Sequence, residues 1–354
     1  MVEIVRYRSE FAAAVARLQK RLWSPDIELN AAYLRWKYDL NPYGDWPIYL
    51  ALDQDRVVGM RGAMGASWEV GNPPQKYLIP CAGDLVIDPE YRSQGIFGQI
   101  MGSLENELRE REIPYLFNWT ANPVNLIASL AAGWKMTPPL GALVREYQAS
   151  RPMRLVRKRL QWLANRIPPF ATLALGAMRM DRHLSVETLP RTEAMADLVS
   201  RLKRTRIRHQ RDVAYFGWRY RNPLSQYRFV FWDDDRLEGY LVLGATERLT
   251  GTEFTIMDWE ATAGEILEEL LGAALLGKFP HLSVWSAGLS AAHRRLFEMR
   301  GFHPIPEGRS VSKYRSKILV RPVAAEASGP LRLGDTELLD LTNWHLRLAY
   351  SDGV

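Results

Sequence analysis

Apolar and polar positions along this chain change period every ten to fifteen residues, which predicts short strands alternating with amphipathic helices. Met1 to Tyr7 reads as a strand and Glu10 to Trp23 as a helix. The most informative joint is Asp84-Leu-Val-Ile-Asp-Pro-Glu-Tyr-Arg-Ser-Gln-Gly-Ile-Phe-Gly98. Leu85, Val86 and Ile87 form a short apolar strand and Pro89 closes it. Ile96, Ile100, Leu104 and Leu108 then recur every four residues on one helical stripe. The loop Arg92 to Gly98 therefore leads into a helix N-terminus, where unpaired N–H groups and the helix dipole converge on one point. Such a point suits a phosphate without a dedicated side chain.

The same pattern returns later in the chain. Tyr33-Leu-Arg-Trp36-Lys-Tyr38-Asp-Leu-Asn41-Pro42 reappears as Tyr215-Phe-Gly-Trp218-Arg-Tyr220-Arg-Asn222-Pro223. Asp53-Gln-Asp55-Arg56-Val-Val-Gly59 matches Asp233-Asp-Asp235-Arg236-Leu-Glu-Gly239, in each case an acidic turn within a hairpin. Ala131-Ala-Gly133-Trp134 parallels Met299-Arg-Gly301-Phe302 at the end of a short helix. Three ordered matches predict duplicated units. Gly59 to Gly133 spans 74 residues and Gly239 to Gly301 spans 62, and the shortening falls where the first copy has its loop. In the second copy Phe254 to Trp259 runs through Glu260-Ala-Thr-Ala-Gly264 straight into a helix, Glu265 to Leu276, with no Arg-x-x-Gly. The reading is a first unit over 1–147, a basic linker over 148–189 and a degenerate second unit over 190–354.

Composition adds limits. With 354 residues, 47% hydrophobic and 24% charged, the chain fits two ordinary cores. No signal-like segment or membrane-length apolar run is visible, which predicts a cytoplasmic protein. The lone Cys81 excludes an intramolecular disulfide and reads as a small buried residue. The six histidines show no His-x-x-x-His or Glu-x-x-His spacing, so no metal is expected. The net charge of +6 concentrates between Arg151 and Arg182, where eight Arg or Lys face one Asp. Met153 to Ala164 reads there as a basic amphipathic helix ended by Pro168-Pro169, and Phe170 to Met178 as an apolar stretch. This segment suits a domain junction or a peripheral contact with an anionic membrane. Trp36 and Trp218, being part of the repeat, read as core residues.

With Arg92-Ser-Gln-Gly95-Ile-Phe97-Gly98 set between a strand and a helix, the sequence resembles the Gcn5-related N-acetyltransferase (GNAT) superfamily over most of 1–147. The later run Asn122-Pro-Val-Asn125-Leu-Ile-Ala128-Ser129, ending in Gly133-Trp134, resembles that family's Asn-x-x-Ala helix. The second copy resembles the degenerate partner of tandem GNAT proteins. The resemblance implies an α+β fold of two tandem GNAT-like domains, each a mixed, mainly antiparallel twisted sheet flanked by helices.

It also implies an acyl-CoA co-substrate, acetyl-CoA in the family's commonest form, held by Leu85, Val86, Ile87, Arg92, Ser93, Gln94, Gly95, Ile96, Phe97, Gly98, Asn122 and Asn125. Phe97 departs from the family's Gly or Ala, while Gly98 follows at once. Backbone groups at Leu85, Val86 and Ile87 would pair with the pantetheine arm and offer an N–H to the thioester oxygen. Asp84 is the acidic residue placed to take a proton from an amine acceptor. The family's usual Tyr, four residues before the helix-ending Gly, is Ser129 here, leaving Ser129 or a nearby tyrosine, Tyr91 or Tyr115, to protonate the thiolate, or solvent and the helix dipole to help it leave. Trp119 and Asn118 are the residues expected to wall the acceptor, a small-molecule amine such as an amino sugar. Two other readings stand beside this one: a Fem-like transferase using aminoacyl-tRNA, which the pyrophosphate loop disfavours, and a non-catalytic CoA-binding or membrane-associated adaptor.

Overall fold

The computed structural model describes residues 2–120, 123–147, 170–173, 182–202, 204–248, 251–305, 316–323 and 329–351. The basic helix expected over Met153–Ala164 and most of the 151–182 segment lie outside these residues. Phe170 and Leu173, at the end of that segment, are buried against Phe254 and Phe279 of the second unit.

Among the described residues the strands form two large sheets. The first contains β1 (Val2–Arg6), β2 (Ile48–Asp53), β3 (Arg56–Met64), β6 (Cys81–Ile87), β7 (Tyr115–Thr120) and β8 (Lys135–Met136). The second contains β10 (Leu184–Glu187), β12 (Ser225–Asp233), β13 (Leu237–Arg248), β14 (Gly251–Ala261), β15 (His281–Trp285) and β16 (His303–Pro304). The acidic runs Asp53–Asp55 and Asp233–Asp235 turn the β2–β3 and β12–β13 hairpins, as their composition predicts.

Each sheet is completed by a strand from the other half of the sequence. β9 (Ala142–Glu146) leaves the first unit and pairs with β15 and β16, while β17 (Lys317–Pro322) pairs with β7 and β8. The orders are β1-β2-β3-β6-β7-β17-β8 and β10-β12-β13-β14-β15-β9-β16. A smaller sheet also joins the halves: β11 (Arg208–His209) pairs with β4 (Ser67–Val70), which pairs with β5 (Gln75–Leu78).

Helices cover both large sheets. α1 (Ala12–Leu18) and α2 (Ile27–Leu34) pack on one face of the first sheet, α3 (Ile96–Glu110) on the other, and α4 (Pro123–Ala131) follows β7. The second unit has α5 (Thr192–Arg201), α6 (Val213–Arg219), α7 (Gly264–Leu275) and α8 (Ala291–Met299). Asp26 caps α2 by accepting from Glu28 and Leu29, and Asp212 caps α6 by accepting from Tyr215, so the helix leading into each copy of the repeat starts at an aspartate cap. In the first copy the helix widens into a π turn over Arg35–Asp39.

The two copies of the repeat meet each other. Trp36 and Trp218 stack at 5.1 Å with planes 10° apart, and each indole N–H donates to the other's backbone carbonyl, at 2.9 and 2.7 Å. A pseudo-twofold relation is thereby built from one motif used twice. Around it Phe117, Trp119, Tyr215, Phe229, Trp285 and Trp344 share one apolar core drawn from both halves.

Candidate functional site

β6 and β7 run parallel and pair only at Cys81↔Phe117, after which they part. Beyond that point the β7-facing edge of β6 from Ala82 to Ile87 makes no ladder with β7. The parting coincides with a bulge: β3 and β6 pair at Met60↔Val86 and again at Gly62↔Gly83, leaving Asp84 and Leu85 opposite Arg61. Asp84 has φ +53°, a left-handed conformation uncommon for a residue with a Cβ. Leu85 and Ile87 are partly exposed beside the gap, and Val86 is buried under α1 and α2.

The strand then leads through Asp88 and the turn Pro89–Tyr91 into the loop. Asp88 is held by Arg21 at 3.1 Å and Arg56 at 2.5 Å. Gln94 Nε2 donates to Glu90 O at 3.0 Å, and Arg92 Nε donates to Ile87 O at 3.3 Å, folding the loop against the end of β6. Gly95 is the N-cap of α3 at φ +75°, where glycine carries no Cβ penalty, and no side chain caps the helix. The first N–H groups of α3 therefore have no intrahelical partner. A Cβ placed on Gly98 would meet nothing within 4 Å, so the outer side of this first turn is open.

Phe97, the residue that departs from the family pattern, does not occupy that space. It is partly buried and packs against the apolar cluster that contains Met101, Leu104, Leu116 and Trp134. The side chain turns toward the core, and its backbone N–H stays in the first turn of α3.

Asp84 is not an open base. Its side chain is fully buried, and each carboxylate oxygen accepts two hydrogen bonds. Oδ1 takes Trp23 Nε1 and Lys37 Nζ, both at 3.0 Å; Oδ2 takes Tyr38 OH at 2.9 Å and Gln19 Nε2 at 3.4 Å. Lys37 is itself buried, with its ammonium 5.5 to 5.7 Å from the rings of Trp23, Tyr33 and Tyr38. Tyr38 passes so close to β3 that a Cβ on Gly62 would overlap its ring. Sequence reasoning missed Lys37, although the repeat carried the signal: a cation follows the tryptophan and precedes a tyrosine in both copies, at 37 and at 219.

The remaining expected site residues divide between the gap and the core. Tyr91 lies on the side of β6 away from β7. It donates to Asp53 at 2.6 Å, and this bond raises its pKa. Ser129 is buried in α4, Asn125 is half-buried on the same helix, and Asn122 falls outside the described residues. Asn118 is buried on β7. Trp119, expected as an open wall, is 9% exposed: it stacks on Trp285 at 5.8 Å and donates to Cys81 Sγ at 3.4 Å. Its ring is large enough that closing the two-sheet core requires it there.

The second unit repeats the parting strands without the loop. β14 and β15 pair at Phe254↔Leu282 and Thr255↔Ser283 and then separate. Only Thr262 and Ala263 connect β14 to α7, against residues 88–95 between β6 and α3, and Glu265 stands in the first turn of α7. A phosphate would meet a carboxylate there. Among the described residues no group of three or more His, Cys, Asp or Glu is arranged to hold a metal ion.

Residues 4–126 match the family model described as an acetyltransferase (GNAT) domain. No curated protein sequence matches the chain. Among solved structures, a "probable N-acyltransferase" from Enterococcus faecalis superposes with a TM-score of 0.59 at 12% identity, covering 91% of this chain and 73% of its own. A Gcn5-related N-acetyltransferase from Anabaena variabilis gives 0.58 at 14% identity, covering 92% and 73%. A tandem GNAT protein from the clavulanic acid biosynthesis pathway gives 0.57 at 14% identity, covering 92% of this chain and 99% of its own. The chain carries a GNAT acetyltransferase domain in its N-terminal half and, taken whole, has the fold of a tandem GNAT protein.

Proposed function

We propose that this protein transfers an acyl group, acetyl in the simplest case, from acyl-CoA to the amine of a small molecule, amino sugars included. The observation that carries the reading is the conjunction of an uncapped α3 terminus at Gly95 with the parting of β6 and β7. Backbone N–H groups of Gly95 to Gly98 would receive the pyrophosphate and the free edge of β6 the pantetheine arm, with an N–H of Leu85 or Val86 for the thioester oxygen. The amine nitrogen attacks the thioester carbonyl, the C–N bond forms, the C–S bond breaks and the proton shed by nitrogen ends on the thiolate. Asp84 supports this as a positioning residue: its carboxylate, committed to four donors, fixes the bulge that parts the strands. Tyr91 keeps its proton for Asp53, so the leaving thiolate takes its proton by way of solvent.

The test is Gly98→Asp. The open space accommodates the side chain and a carboxylate near a helix N-terminus favours the helix, so the variant is expected to fold as the parent does. Facing pyrophosphate, the same carboxylate should weaken acetyl-CoA binding by calorimetry at least about tenfold, a loss of about 1.4 kcal/mol. Unchanged affinity in the variant, or no binding of any acyl-CoA by the parent, removes the reading. Thiol release against a panel of amines then reports the acceptor class.

A further inference from the structure

In the second sheet the space between the parting strands is filled by the chain itself. On one side Trp344 forms a parallel bridge to Ile207, and His345 N donates to Ile207 O at 2.8 Å. Gly288, three residues past β15, sits so close that an added Cβ would meet Trp344 O at 2.9 Å and Leu346 N at 3.1 Å. On the other side Arg347 Nε donates to Trp259 O of β14 at 3.0 Å, and its guanidinium lies 3.8 Å from the Trp259 ring centroid. Residues 344–350 thus lie between Gly288 and Trp259, in the gap that the first sheet leaves between β6 and β7.

All seven residues from Trp344 to Tyr350 are buried, although only Leu348–Tyr350 form a helical turn. A buried irregular segment is tolerated only where its polar groups find partners. Here the second unit supplies partners for the carbonyls of Ala349 and Ser351 and for the Arg347 guanidinium. Arg219 donates to Ala349 O at 2.6 Å and to Ser351 O at 2.9 Å, Tyr215 OH donates to Ala349 O at 3.3 Å, and Arg347 reaches Glu260 at 3.2 Å.

The repeat shows how the two units came to differ. Tyr38 donates to Asp84 and Tyr220 to Asp258, so the two aspartates hold corresponding places on β6 and β14. Lys37 and Arg219 correspond as well. Lys37 neutralises Asp84 beside an open gap, whereas Arg219 holds the carbonyls of the inserted segment and leaves Asp258 to Arg211 at 2.7 Å.

We propose that residues 344–350 are the resident occupant of the second unit's cleft, an internal strap standing where the first unit takes the pantetheine arm. This rests on the acyl-CoA reading above for the first unit and extends it: the chain binds one donor, and Arg347 is the strap's anchor. Hydrogen–deuterium exchange on the full chain, with and without acetyl-CoA, tests it. Amides of 344–350 are expected to exchange as slowly as those of β14 and to be unaffected by acetyl-CoA, while residues 92–98 gain protection and calorimetry saturates at one donor per chain. Arg347→Ala should raise exchange in 344–350 about tenfold, a loss of about 1.4 kcal/mol, and leave residues 92–98 as they were. Fast exchange of 344–350 in the parent, a response of that segment to acetyl-CoA, or saturation at two donors overturns the strap. A parent that binds no acyl-CoA removes the donor reading, and exchange at 344–350 still decides whether the strap is seated. If Arg347→Ala does not fold, parent exchange and stoichiometry decide.

Discussion

Lys37 and Asp84 are an ion pair with both side chains at 0% exposure, a costly arrangement unless every remaining polar contact is made. Trp23, Tyr38 and Gln19 make those contacts. Lys37→Met should therefore destabilise the fold by about 3–5 kcal/mol, because it strands a buried carboxylate, and adding Asp84→Asn should recover much of that loss. Denaturant titration of the two single variants and the double variant checks this, and simple additivity would mean that the pair is not coupled. Gly62→Ala is a gentler probe: its methyl would press on Tyr38 and should cost about 1–3 kcal/mol. At this scale the sequence was partly readable. It marked Asp84 as special, but the type of a residue does not reveal which donors surround it, and an acidic side chain at the end of an apolar strand looks the same whether it faces solvent or a buried lysine. Trp119 shows the same limit, since neither its burial nor its contact with Trp285 can be read from position along a strand.

The elements behave more predictably. Strand β6, the loop and helix α3 follow directly from an apolar triplet, a proline, a left-handed glycine and a four-residue apolar stripe, all local properties of the chain. The strap was not legible, because an irregular segment has no period and Trp259 and Glu260, the groups that hold Arg347, lie more than 80 residues away. Two elements carry buried histidines. Burial pushes His209, on β11 among Trp68, Tyr215 and Tyr350, down to about 4. Burial and then Arg347 push His345 on the strap down to about 3, so the ring stands neutral between Glu260 at 3.2 Å and Arg347 at 3.0 Å. Both folded values lie below the ordinary 6.5, so between that pH and about 3–4 the unfolded chain binds protons that the folded chain refuses. The contribution of these two histidines should be level above about pH 7 and should lower stability as the pH drops from 6.5 toward 4. Thermal midpoints across that range check the sign, and His209→Phe should flatten part of the slope.

At the scale of the whole molecule, the duplicated motif correctly announced two related units, and the Trp36–Trp218 pair is where they join. The exchange of β9 and β17 was beyond the sequence, because an alternating apolar strand fits the pattern of either sheet and nothing in it names its neighbour. A fragment of residues 1–147 made alone should be insoluble or poorly folded, lacking β17 between β7 and β8 and keeping β9 without a partner. Co-expression with residues 148–354 should restore a soluble pair, and recovery of a folded, monomeric 1–147 by circular dichroism would count against interdependence. Calorimetry of the intact chain should show a single transition.

The exchanged strand also sets a timetable. When β9 leaves the ribosome its neighbours β15 and β16 have not been made, and some 135 residues separate the end of β9 from the start of β15. At about 5–20 residues per second, an apolar strand with unpaired edges waits on the order of ten seconds for the sheet it belongs to. During that interval the nascent chain is open to wrong strand pairing with a neighbouring chain, so its yield in a cell should depend more on chaperone supply and translation speed than on the stability of the finished fold.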